Sequence, residues 1–232
     1  MESRISADGW TASCARLWEA AVNQLGEGEL RATREKAMPF RRATKEEHER
    51  QGITIREAAV LWLIFPDGSG DWRGVLMERT PYEGVHGGQV AIPGGEREPE
   101  DASFLATAMR EFNEEMGAAV APGAVIGRLH PLYIPPSRFS VEPYVAVVPK
   151  EPLWRPDPIE VAAVLRPKLD MLSNPDALKP RKVMVRRGVQ HEMPAYDVDG
   201  RAVWGATALM LTEFVAIWKE VVRSGGWPDL AS

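Results

Sequence analysis

Residues 12–25 place Leu17, Ala21 and Leu25 four apart, with Trp18 and Val22 beside them. That stripe has helical spacing, and Gly26 with Gly28 predicts its end. Residues 31–50 are highly charged and broken at Pro39, so they read as a solvated linker with room for one helical turn. Residues 58–65 form an uninterrupted apolar run that stops at Pro66-Asp67-Gly68-Ser69-Gly70, the pattern of a short buried strand. Val75, Leu76 and Met77 follow that turn as its expected hairpin partner. Residues 81–95 hold five glycines and two prolines, too many for a helix and over too long a stretch for a tight turn.

The clearest helix covers residues 101–116, where Leu105, Ala108, Met109, Phe112 and Met116 fall on one face. Asp101 or Ser103 can cap its start, and Gly117 can take the left-handed residue at its end. Residues 144–148 read as a strand, and residues 161–165 fit either strand or helix. Residues 183–185 and 195–198 read as strands around a turn at Arg187-Gly188. Residues 206–222 close the chain as an amphipathic helix, with Leu209, Phe214, Ile217, Trp218 and Val221 as core candidates. Strands and helices interleave without a regular βαβ repeat.

Composition narrows the class. With 44% hydrophobic and 26% charged residues and a net charge of −5, the 232-residue chain is neither disordered nor a broadly basic nucleic-acid binder. Cys14 is the single cysteine and cannot form an internal disulfide, which suits a reducing compartment. The longest apolar run is far below the ~20 residues of a membrane span. The N-terminal residues Glu2, Arg4 and Asp8 give no secretory signal. The expectation is a cytoplasmic protein with no membrane partner.

The helix at 101–116 carries a second face. Glu111, Glu114 and Glu115 lie at i, i+3 and i+4, beside the apolar stripe and near the helix C-terminus, where the dipole disfavours anions. A hard divalent cation relieves that crowding, and Mg²⁺ favours carboxylates together with substrate phosphates. Three glutamates alone would equally fit a solvated acidic face, and the flanking sequence decides between the two.

Read together, Gly95-x5-Asp101-x8-Arg110-Glu111-Phe112-x-Glu114-Glu115-x-Gly117 resembles the signature of the Nudix hydrolases. That signature runs Gly-x5-Glu-x7-Arg-Glu-aliphatic-x-Glu-Glu-x-Gly-aliphatic. The chain departs from it in Asp101, in a spacer one residue longer, and in Ala118 as the closing aliphatic. The resemblance implies an α/β/α sandwich with a mixed β-sheet, here preceded by an N-terminal helical extension (residues 1–50, with the hydrolase domain at 51–232). It implies hydrolysis of a nucleoside diphosphate linked to another moiety. It assigns Mg²⁺, with Mn²⁺ as a substitute, to Glu111, Glu114 and Glu115 and a backbone carbonyl at Gly95, with Arg110 orienting the carboxylates. Glu111, Arg110 and Glu115 are the catalytic candidates. Asp101 is either part of this site or a helix cap.

The preceding stretch, Leu76-Met77-x-Arg79-Thr80 followed by His86-x-Gly88-Gln89-Val90-x-x-Pro93-Gly94-Gly95, resembles the coenzyme A diphosphatase branch of that family, with Ile92 at a usual Phe. Pro135-x-Ser137-Arg138, Pro143-Tyr144-Val145 and Val203-Trp204-Gly205-x-Thr207-Ala208 resemble its later segments. The branch implies coenzyme A or acyl-coenzyme A as substrate, cleaved to 3′,5′-ADP and 4′-phosphopantetheine. It makes Arg79, His86, Gln89, Gly94, Gly95 and Arg138 the substrate-binding candidates. Arg181, Lys182, Arg186 and Arg187 are further cationic candidates for phosphate. Glu111 is the in-signature choice for the proton acceptor, with Glu142 and the pair His191-Glu192 open. A diphosphatase of another nucleotide such as ADP-ribose or a nucleoside triphosphate, and a non-catalytic nucleotide sensor, are the rival readings. The N-terminal helix, with Trp10, Leu17 and Trp18, must pack either on its own domain or across a homodimer.

Overall fold

A computed structural model describes residues 7–38, 40–81, 87–186 and 189–227. The chain runs through α1 (Ala7–Glu35), α2 (Lys45–Arg50), β1 (Arg56–Pro66), β2 (Trp72–Gly74), β3 (Leu76–Arg79), β4 (Val90–Ala91) and β5 (Gly94–Glu96) to α3 (Phe104–Met116). It continues through β6 (Val125–Arg128), β7 (Leu132–Ile134), β8 (Phe139–Val147), β9 (Val161–Leu165) and α4 (Leu169–Ser173). β10 (Leu178–Arg186), β11 (Val189–Val198), β12 (Arg201–Trp204) and α5 (Gly205–Arg223) complete it.

The apolar run at 58–65 becomes the central part of β1, buried on both faces. Successive side chains leave a strand on opposite sides. Ala58, Val60, Trp62 and Ile64 therefore enter one apolar cluster, while Ala59, Leu61, Leu63 and Phe65 enter another. α3 covers the second cluster with Ala108, Phe112 and Met116. α5 and α1 cover the first, where the Phe214 ring lies 5.5 Å from Trp62 and 5.9 Å from Trp18. β1 pairs parallel with β8 and antiparallel with β2 and β5, and β8 carries β6 and β7 antiparallel. The result is the expected α/β/α sandwich around a mixed sheet, with an N-terminal helix ahead of it. Two further three-stranded sheets, β4-β3-β9 and β10-β11-β12, flank it.

Several local readings change. The hairpin partner of β1 is Trp72–Gly74; the chain then leaves, and Leu76–Arg79 pairs with β4 and β9 in another sheet. Gly74 sets that crossing point, because the Trp62 indole fills the space where a Cβ would sit. The first helix breaks at Gly26 (φ 72°) and resumes to Glu35, so the glycine kinks it instead of ending it. The charged linker folds α2 behind a capping box between Thr44 and Glu47. On α3, Leu105 and Met109 are only half-buried, whereas Thr107 and Glu115 are buried. The helix is rotated toward β5, which moves Glu115 from beside the apolar stripe into it. Residues 161–165 are a strand. The turn at Arg187-Gly188 lies outside the described residues.

α1 packs on its own domain. Trp10, Cys14, Trp18, Ala21 and Leu30 are buried in the cluster that holds Phe214 and Trp218. Gly127 of β6 accommodates the Trp18 indole, which a Cβ there would overlap. Arg34 donates to the carbonyls of His130 (3.1 Å) and Pro131 (3.3 Å) and lies 3.6 Å from the buried Glu213 carboxylate. Deleting residues 1–50 is thus expected to uncover Phe214 and Trp218, lower the thermal midpoint and drive association. Light scattering showing an unchanged mass, with an unchanged midpoint, would refute this.

Candidate active site

Two glycines bring the chain against α3. Gly94 has φ 149°, and a Cβ there would overlap the Ala59 carbonyl and the Val60 Cα across the strand pair. Without that Cβ, the Gly94 N–H reaches the Glu115 carboxylate and donates to Oε2 at 2.7 Å. The Glu111 carboxylate lies directly over Gly95, in space that a Cβ would fill.

Arg110 organises the outer side of the site. Its Nε and Nη2 donate to the two Asp101 carboxylate oxygens at 3.1 and 2.9 Å, and Nη1 donates to Glu111 Oε1 at 2.8 Å and Glu114 Oε2 at 3.0 Å. Asp101 also accepts from the Glu98 N–H (3.0 Å) and the Thr107 hydroxyl (2.9 Å). The Arg110 guanidinium holds the Asp101 carboxyl well below the usual carboxylate range. Of the two readings of Asp101, the helix cap falls to Ser103, whose hydroxyl accepts from the Ala106 N–H. Asp101 instead anchors Arg110. Asp101→Ala is expected to cost about 2 kcal/mol, since it strips a bidentate partner from a half-buried arginine. Urea unfolding measures this, and a change below ~0.5 kcal/mol would exclude the anchoring role.

Burial dominates the inner carboxylates. It pushes the Glu111 carboxyl up, opposed by Arg110. It pushes Glu115 up to about 8, against the opposing Arg79 charge and Gly94 N–H. Glu115 Oε1 is buried and takes no hydrogen bond. Its nearest charge is Arg79 Nη1, 3.3 Å away, and Arg79 Nη2 lies 3.8 Å from Glu160 Oε2.

Glu160 has no counterpart in the sequence reading. It arrives on the segment before β9, which is strapped across the end of α3. The Asp157 and Arg155 N–H groups donate to the carbonyls of Glu115 (2.9 Å) and Met116 (3.0 Å). Gly117, left-handed at φ 61°, leaves room for the Arg155 carbonyl. Glu160 adds to the negative field at both Glu111 and Glu115. Its only signal in the sequence is an acidic residue after Asp157-Pro158, which is no signal by itself.

The remaining candidates are scattered. His86 lies outside the described residues. Gln89 is half-buried and its carbonyl accepts the Arg79 N–H at 3.0 Å. Arg138 is exposed at the β7–β8 turn with φ 62°, beyond the start of β1, and no hydrogen bond or ion pair among the described residues joins it to the glutamates. Glu142 pairs in register with Ala59, whose other edge pairs with Gly95. It is thus two strands from the glycine pair, about 10 Å, and faces Arg128 at 3.8 Å. His191 and Glu192 are exposed on β11. Arg181 is paired with Asp197 at 2.7 Å, and Lys182 is exposed. The side chains of Arg186 and Arg187 lie outside the described residues. Trp204 is half-buried at the start of α5.

A NUDIX-domain family model matches residues 55–187, more than half of the chain. The chain belongs to the Nudix family. The Nudix hydrolase NudL of Salmonella newport is 35% identical over 139 residues, covering 60% of this chain and 71% of the relative. Among solved structures, the Nudix hydrolase RenU of M. smegmatis aligns with a TM-score of 0.47 at 16% identity, covering 75% of this chain and 89% of that one. A MutT/nudix family protein from Enterococcus faecalis aligns with a TM-score of 0.49 at 13% identity, covering 91% and 74%. As a Nudix protein with this charged, partly buried site, the chain is a hydrolase of diphosphate bonds. Among the described residues no three His, Cys, Asp or Glu side chains already converge on a cation position, because the arginines stand between the carboxylates. No helix among them is long and apolar enough to cross a membrane.

Proposed function

We propose that this Nudix hydrolase cleaves the diphosphate of a nucleotide joined to a second moiety, with Glu111, Glu114, Glu115 and the Gly95 carbonyl as the residues that hold Mg²⁺ or Mn²⁺. One observation carries this reading: Glu115 Oε1 is buried, anionic when ionised, and without a hydrogen bond. Such an oxygen is costly unless a cation sits against it. The Glu111 carboxylate over Gly95 supplies a second oxygen from the same helix face. The cation, when bound, supplies charge neutralisation at the diphosphate and a lowered pKa for coordinated water.

The chain's own residues do the rest. Arg110, fixed by Asp101, aims Glu111 and Glu114. The Gly94 N–H aims Glu115. Burial beneath β5 keeps water from screening the Glu115 carboxylate, which is where preorganised electrostatics act most strongly. Glu111 is the proton acceptor within the signature, and Glu160, half-exposed beside Arg79, is the carboxylate that the fold adds to that choice.

Coenzyme A or acyl-coenzyme A is the narrower substrate reading, supported by the motif from Leu76 to Gly95. The broader reading has more behind it, since the contacts described lie among the signature glutamates and arginines, and Arg138 is not joined to them. Both are tested by kcat/KM at fixed Mg²⁺ for coenzyme A, dephospho-coenzyme A and ADP-ribose. Mg²⁺-dependent cleavage of at least one is expected, and failure on all three would overturn the broader reading. A charge-assisted contact to the 3′-phosphate would favour coenzyme A over its dephospho form by about tenfold or more. Equal values, or a preference for ADP-ribose, would remove the coenzyme A reading and leave the broader one standing.

A further inference from the structure

Two arginines neutralise the acidic site, and they are held in different ways. Arg110 makes four side-chain hydrogen bonds to three carboxylates at 2.8–3.1 Å. It is a strut with no freedom to leave. Arg79 is only loosely engaged, at 3.3 Å from Glu115 and 3.8 Å from Glu160. Charge-assisted bonds normally close to about 2.7–2.9 Å. The Glu115 oxygen it faces takes no hydrogen bond from it.

The Arg79 backbone is nonetheless fixed. Its N–H donates to the Gln89 carbonyl at 3.0 Å, and its strand pairs with β9 at Val161, just past a register shift. Only the side chain can move; its exposure, 23%, equals that of Arg110, and what sets it apart is the length of its contacts. The guanidinium therefore occupies the position of a counter-charge to a buried carboxylate, without the geometry of a permanent partner. A divalent cation at Glu115 would compete for the same oxygen and repel the guanidinium at close range.

We propose that Arg79 is a resident placeholder for the metal: it stands against the Glu115 carboxylate in the metal-free protein, is displaced when the cation binds, and then engages the diphosphate. This rests on the metal assignment made above for the glutamates. A guanidinium freed at the mouth of the site has the fork geometry that suits phosphate oxygens. The device keeps a buried carboxylate compensated while the site is empty. It also releases a phosphate-binding group only when the metal is in place.

The signature is a pair of opposite effects. Arg79→Gln removes the competitor, so Mn²⁺ followed by electron paramagnetic resonance at pH 8 under argon should bind at least about tenfold more tightly than to the wild type. The same variant, saturated with Mg²⁺, should bind imidodiphosphate at least about tenfold more weakly by calorimetry. Unchanged or weaker Mn²⁺ binding, or unchanged imidodiphosphate binding, would overturn the placeholder role. A wild type that binds no Mn²⁺ would overturn the metal assignment and this proposal with it, an outcome distinct from the first two. The wild type gives an independent readout that needs no variant to fold. Phenylglyoxal labelling followed by mass spectrometry should show Arg79 become more reactive on adding Mg²⁺ and less so on adding imidodiphosphate, with Arg110 protected throughout. Arg79 reactivity that Mg²⁺ leaves unchanged or lowers would refute the displacement.

Discussion

Replacing Glu115 by Gln is expected to lower Mg²⁺-dependent turnover more than about a hundredfold while raising the thermal midpoint of the metal-free protein. The two effects share one cause. The side chain is buried, its Oε1 lacks a hydrogen bond, and its carboxyl is pushed up to about 8 from an ordinary 4.5. A carboxyl with a raised folded-state value binds its proton more tightly in the folded than in the unfolded chain. Its contribution to stability is therefore fully present below about 4.5 and is lost as pH rises toward 8. Gln carries no charge to desolvate, and its carbonyl oxygen can still accept the Gly94 N–H. At pH 8 the gain should be at least ~1 kcal/mol, or roughly 2–4 °C for a chain of this size. The difference from wild type should shrink as pH falls to 5. Under the proposed metal assignment, losing the Glu115 oxygen as a ligand accounts for the lost turnover. Near-native turnover in the variant would exclude Glu115 from the site, and a midpoint lowered at pH 8 would exclude the desolvation account.

Gly94→Ala is expected to be strongly damaging. Its Cβ would overlap backbone atoms, the Ala59 carbonyl and the Val60 Cα, and φ 149° is a conformation that alanine avoids. Neither side of that clash is the end of a flexible chain, so β5 must shift from β1 and carry the Glu115 hydrogen bond with it. A loss of about 3 kcal/mol, roughly 6–12 °C, should accompany loss of activity. Gly123→Ala is the matched control, because open space surrounds that position and its change should stay within ~0.5 kcal/mol. Similar midpoints for the two variants would show that the β1–β5 approach is not tight.

The strand at 58–65 and the helix with its glutamates were legible because both are written in periodicity, two residues for the strand and 3.6 for the helix. Arg110, Glu111, Glu114 and Glu115 come together because they share that one helix. Periodicity says which residues share a face but not what covers it, and the revisions at the site follow from that. Helical spacing puts Glu115 at the edge of an acidic arc, and it is the approach of β5 that buries it. Spacing leaves Asp101 as a cap or a site residue, and it is the reach of Arg110 that decides between them. Glu160 was invisible because it comes from beyond β8, and no local spacing ties it to α3. Val75–Met77 looked like a hairpin partner because the strand change at Gly74 depends on the Trp62 ring, an event outside the local pattern.

The pairing of α1 with α5 sets an order on synthesis. About 170 residues separate Glu35 from Gly205, so the Trp18 side of α1 is complete long before Phe214 exists to stack on it. At typical ribosomal speeds that interval is roughly 10–30 s, within which the central parallel β1–β8 pair must also wait for its second strand. The nascent chain thus carries the Trp18 ring without its Phe214 partner throughout that interval. This makes the N-terminal helix the segment where chaperone contact during synthesis should concentrate.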